Sequence, residues 1–95
     1  MGFTTIKSTH LNTSGAVVGG SARVKSLYYT HSSTAGTITL KDGGTGGTTV
    51  ATINTVAAAG EYQVDIPEPG IRCTSSSGPY VAITGGVSFV TVFYD

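Results

Sequence analysis

The sequence predicts an all-β protein: a single small β-sandwich or jelly-roll-like domain of about seven or eight short antiparallel strands. Three observations lead there. Apolar residues recur with period two wherever the pattern is clean, as in Thr37-Ile38-Thr39-Leu40-Lys41 and Glu61-Tyr62-Gln63-Val64-Asp65-Ile66. Segments rich in Gly, Pro, Asp and Ser separate these runs at short intervals. The one helix-like stretch, Val56-Ala57-Ala58-Ala59, is stopped by Gly60 before it exceeds about a turn. With 95 residues, 39% of them hydrophobic, the chain fills one modest core, so one domain is expected. Its organisation reads as an N-terminal arm or edge strand over residues 1–20 and a β-sandwich domain over residues 21–95.

The elements follow in order. A weak strand signal covers residues 3–8. Residues 8–20 are polar and bounded by glycine, with a short apolar insert at Ala16, Val17 and Val18. Such a segment either docks on a partner by adding a strand to its sheet or folds back as an edge strand of its own domain. Residues 23–30 form the next strand, whose strict alternation sets Leu27 and Tyr29 on one side and Val24 and Tyr28 on the other. In residues 37–41, Ile38 and Leu40 face the core. Asp42-Gly43-Gly44-Thr45-Gly46-Gly47 then closes a hairpin between Leu40 and Val50 in the strand at 49–55.

Residues 61–66 set Tyr62, Val64 and Ile66 against Glu61, Gln63 and Asp65. Pro67-Glu68-Pro69-Gly70 makes a rigid corner at which the chain is expected to change sheets. Short strands follow at 71–74 and 80–84, and Gly85-Gly86 reads as a hairpin turn leading into the strand at 87–94. That last strand is apolar on both faces, with Val87, Phe89 and Phe93 on one and Val90, Val92 and Tyr94 on the other. One face therefore needs a cover, from a second layer of the same chain or from a neighbouring subunit. Tyr28, Tyr29, Phe89, Phe93 and Tyr94 are the candidates for subunit packing.

Charged residues make up 11% of the chain, and five Lys and Arg balance five Asp and Glu. No field gathers nucleic acid or anionic lipid, so neither is an expected partner. The one cysteine, Cys73, has no internal disulfide partner, and a domain this small without staples gains stability by association. A homo-oligomer is expected. The segment Met1-Gly2-Phe3-Thr4-Thr5-Ile6 lacks the basic start and apolar core of a signal peptide, and no run nears the ~20 apolar residues of a membrane span, so synthesis in the cytoplasm is expected.

No catalytic, metal or cofactor site is predicted. His10 and His31 lack the spacing of a metal pair, and His31 reads as a solvated residue at a strand end. Cys73 carries no nucleophile signature and suits strand packing. Asp42, Glu61, Asp65, Glu68 and Asp95 read as charges on solvent faces and turns rather than an acid–base pair. The glycine run at 43–47 lacks the Lys-Ser or Lys-Thr of a phosphate loop and reads as a turn. The tyrosines offer stacking surfaces for sugars, but the chain holds no tryptophan.

Arg23-Val24-Lys25-Ser26-Leu27-Tyr28-Tyr29, then Gly36-Thr37-Ile38-Thr39-Leu40-Lys41-Asp42-Gly43, Ile66-Pro67, Gly70-Ile71-Arg72-Cys73, Tyr80-Val81-Ala82-Ile83 and Val90-Thr91-Val92-Phe93-Tyr94 together resemble small β-sandwich structural proteins of tailed bacteriophages. The likeness covers residues of about 15–95 and has no catalytic motif to transfer. It implies a non-enzymatic virion component made in the host bacterial cytoplasm: a capsid cement or decoration protein, favoured as a homotrimer, that binds the assembled major capsid protein and stabilises the shell. The alternatives are a phage adaptor or tail-fibre subunit, or a lectin-like carbohydrate-binding module.

Overall fold

A computed structural model describes residues 6–95. Among them the chain forms seven strands joined into one antiparallel sheet and no helix: β1 (Lys7–Leu11), β2 (Gly15–Ala16), β3 (Ala22–Asp42), β4 (Thr48–Thr55), β5 (Gly60–Asp65), β6 (Ile71–Cys73) and β7 (Pro79–Tyr94). The all-β class is as the sequence predicts. The separation into two sheets is not: β3 and β7 pair along nearly their whole length, and every other strand pairs with one of them. The expected weak strand lies partly outside the described residues; its described part begins β1.

The two long strands account for the shape. At about 3.3 Å per residue a straight strand of 21 residues would run roughly 69 Å, whereas the longest dimension of the molecule is 42 Å. β3 therefore bends, and β7 with it. The bend lies where the register between them shifts, from His31 opposite Val87 to Gly36 opposite Gly85. Gly85-Gly86 is thus not a hairpin turn but the inner corner of a continuous strand. A Cβ on Gly36 would overlap the carbonyl oxygen of Thr84, and one on Gly86 would overlap that of Thr34. The backbones meet too closely for side chains, and this close approach is what the glycines serve.

The bend divides the sheet into two leaves. The terminal leaf holds β1, β5, β6 and the 22–31 and 87–94 portions of β3 and β7. The hairpin leaf holds β2, β4 and the 36–42 and 79–85 portions. Inward side chains of both leaves share one cluster, with Val24, Leu27, Tyr29, Val90 and Val92 from the first and Ile38, Leu40 and Val81 from the second. Each fully buried Val, Leu or Ile contributes about 1.5–3 kcal/mol to holding the leaves together.

Two bulges correct the alternation read from the sequence. The register passes from Val24 opposite Tyr94 to Ser26 opposite Phe93, so Lys25 is an extra residue and Val24 turns inward beside Leu27. It passes from Thr30 opposite Phe89 to His31 opposite Val87, so Ser88 is extra and Val87 is buried while Phe89 points out. Each insertion restores an apolar residue to the core that strict period two would have exposed.

The hairpin over residues 42–47 forms as expected, with Asp42 opposite Thr48 and Lys41 opposite Thr49. Its Asp42 carboxylate accepts hydrogen bonds from the backbone N–H groups of Thr74 (3.1 Å) and Ser75 (3.0 Å), tying the turn to the loop before β7. The corner at 67–70 does not move the chain to another sheet. β5 and β6 pair in succession along the same edge of β3, and Lys25 holds the corner by donating to Glu68 (2.8 Å) and to the Pro69 carbonyl (3.3 Å).

Candidate binding surfaces

The outward row of the terminal leaf is set by register. Phe89, Thr91 and Phe93 on β7 stand opposite Thr30, Tyr28 and Ser26 on β3, which in turn stand opposite Glu61, Gln63 and Asp65 on β5. On the other side His10 of β1 stands opposite Thr91. Tyr28 is 36% exposed and Phe89 42%. The His10 ring stacks on Phe89 with centroids 5.4 Å apart, and its Nδ1 lies 2.9 Å from Thr91 Oγ1, which holds the imidazole against the Phe89 ring. The Tyr28 hydroxyl is raised above its ordinary pKa, first by its hydrogen bond to Glu61, then by partial desolvation and the Glu61 charge. The product is an exposed aromatic patch bordered by Ser8 and His10 on the β1 side and by Glu61, Gln63 and Asp65 on the β5 side.

The five aromatic residues singled out from the sequence therefore separate. Tyr28, Phe89 and Phe93 share this outer face. Tyr29, 7% exposed, and Tyr94 lie on the inner one, Tyr29 stacked on Tyr62 at 5.3 Å. The arm residues also divide. Ala16 pairs with Tyr80 as part of β2 and is exposed, Val17 is buried in the core, and Val18 is half-buried against it. Thr9 Oγ1 donates to the Val17 carbonyl at 2.7 Å, so β1 and β2 support each other on the flank of β7.

His31 is a correction. Rather than solvated, it is 3% exposed at the bend. Its Nδ1 lies 2.6 Å from the Ser32 carbonyl oxygen and 3.3 Å from that of Ala58, and its Nε2 lies 2.6 Å from Thr55 Oγ1. Two carbonyls at Nδ1 require the proton there; in the neutral ring Nε2 then accepts from the Thr55 hydroxyl, which itself accepts from the Gly36 N–H at 2.8 Å. This closed chain satisfies the buried polar groups of the bend. Tyr29 and Tyr62 pack edge-on against the imidazole.

Between the leaves an apolar cleft of ≈ 450 Å³ opens at the edge formed by β4, β5 and β6; Leu27 and Leu40 form its floor, and Ala51, Ile53, Val64 and Ile71 its walls. The Cys73 thiol is buried, and that burial, with the Asp42 charge as a lesser cause, pushes it up to about 11, so it stays a protonated packing group. Arg23 and Arg72 stand directly opposite each other, and Asp95 offsets their repulsion with Oδ1 3.4 Å from Arg23 Nε. Among the described residues, no three His, Cys, Asp or Glu side chains gather to hold a metal ion. Compared with protein-family models, curated protein sequences and solved structures, the chain matches none.

Proposed function

We propose that this chain is a non-enzymatic structural protein of a phage virion, a cement or decoration protein that binds the assembled capsid shell. In this reading the doubled-back sheet serves as a compact sandwich-like body and the outer face of its terminal leaf is the contact surface. The observation that carries the reading is the patch of Tyr28, Phe89 and Phe93, with His10 stacked on Phe89, on a face that no other described strand covers. Exposed aromatic residues within a polar rim are the composition of protein contact surfaces, and a shell-binding protein gains its free energy from many such modest contacts. The sequence resemblance to tailed-phage structural proteins supports the same assignment.

The test is quantitative mass spectrometry of gradient-purified particles from the lysate of the host strain that carries the gene. The chain is expected at a copy number comparable to that of capsomers, and a Tyr28→Ser/Phe89→Ser variant with unchanged melting is expected to be lost from them. Particles that lack the chain altogether sink the assignment.

A further inference from the structure

The edges of the sheet are not alike. β1 carries Lys7 and His10, and β5 carries Glu61 and Asp65 and runs into Pro67 and Pro69. Charges and prolines on an edge strand are the ordinary means by which a protein prevents its unpaired backbone from templating another strand. β4 has neither. It reads Thr48-Thr49-Val50-Ala51-Thr52-Ile53-Asn54-Thr55, eight residues of high strand propensity without a charge or a proline, and among the described residues it pairs with β3 alone. Its one irregularity is the register shift that leaves Val50 extra, so residues 51–55 are the regular stretch. This same strand forms one lip of the apolar cleft through Ala51 and Ile53.

From this we infer that β4 is a self-association edge: two copies of the chain pair β4 to β4, antiparallel, about a two-fold axis at Ile53. Charge favours β4 over β5 as the edge that meets its own copy. A second copy of β5 against the first would set Glu61 and Asp65 among their own kind, whereas β4 meets itself without apposing any charge. The pattern is also self-complementary. With Ile53 opposite Ile53, small Ala51 falls opposite Thr55 on the inner side, and Thr52 opposite Asn54 on the outer, where both are exposed. The added strand carries a second inward row of Ala51 and Ile53 over the mouth of the cleft, and by symmetry each copy shields the other's, as expected of an isologous contact.

The inference stands apart from the virion assignment, because it concerns the purified chain alone. Light scattering coupled to size exclusion should give twice 9.6 kDa for the unmodified protein. T52K/N54K and T52E/N54E variants each place like charges opposite one another twice, and each is expected to weaken association roughly tenfold or more, moving the mass toward one chain. An equimolar mixture of the two should regain the dimer as a heterodimer. Hydrogen exchange on the unmodified protein gives a readout free of any folding defect: amides in 51–55 should lose protection on dilution. A monomer at all concentrations, leaving β4 to a strand of some other protein, overturns the inference. So does a mass near three chains, a dimer indifferent to both charge pairs, or protection in 51–55 that does not change with dilution.

Discussion

Replacing Gly36 with alanine tests the bend on which the fold depends. The added Cβ would overlap the Thr84 carbonyl oxygen and sit 2.9 Å from the Gly86 nitrogen, both backbone atoms of the facing strand. A clash with flexible side-chain ends is relieved by a rotamer change, but here two strands must separate at the point where β3 and β7 turn together. Overpacking costs about 1–3 kcal/mol, and with backbone on both sides the upper end, about 3 kcal/mol, is expected. For a domain of this size each kcal/mol is worth roughly 4–8 °C, so the melting temperature should fall by roughly 12–24 °C. Gly19→Ala is the matched control, because a Cβ there meets nothing within 4 Å and should stabilise by about 0.4–1 kcal/mol through the unfolded chain. Circular dichroism melts of the two variants beside the parent decide the matter. If Gly36→Ala melts within about 3 °C of the parent, the close approach of the strands is not what holds the bend.

Two further outcomes follow from the buried groups. Thr55→Val keeps the shape of the side chain but leaves the Gly36 N–H and His31 Nε2 without their shared partner; urea unfolding should show a loss of about 1–3 kcal/mol at unchanged slope, and an unaltered midpoint would refute the closed hydrogen-bond chain. Burial raises the Cys73 thiol from its ordinary 9.0 to about 11, so the folded state favours the protonated form and the unfolded chain ionises first. The contribution to stability is full below pH 9.0 and is lost as pH rises toward about 11. Between those values the parent should lose stability faster than Cys73→Ala, whose remaining slope includes the raised Tyr29; parallel curves would contradict this.

The local elements were legible because local chemistry makes them. Period two in residues 37–41 and 61–66 placed Ile38, Leu40, Tyr62 and Val64 on the inner side, and glycine placed the hairpin at 42–47. The bulges at Lys25 and Ser88 were not legible, since an inserted residue leaves no mark on composition and shows only in the partner strand's register. Strict alternation therefore set Val24 and Val87 on the wrong face. The burial of His31 is hidden from the sequence for a similar reason. Its neighbours in the chain are polar, and the Thr55 hydroxyl and Ala58 carbonyl that surround it come from beyond the hairpin. Among the aromatic candidates, alternation already separates Tyr28 from Tyr29 and Phe89 from Tyr94, and only the folding back of the sheet decides that the face of Tyr28 and Phe89 is the outer one.

By itself the sequence determined that this protein is all-β, helix-poor, near-neutral and built around one core, because propensity, turn chemistry and charge are carried by each residue and its immediate neighbours. Only the tertiary structure decided that residues 22–42 and 79–94 are two continuous strands of one doubled-back sheet rather than four strands of two. The physical reason is that Gly85-Gly86 fits either a hairpin turn or a close-packed corner. Which one forms is settled by the strand that lies across from it.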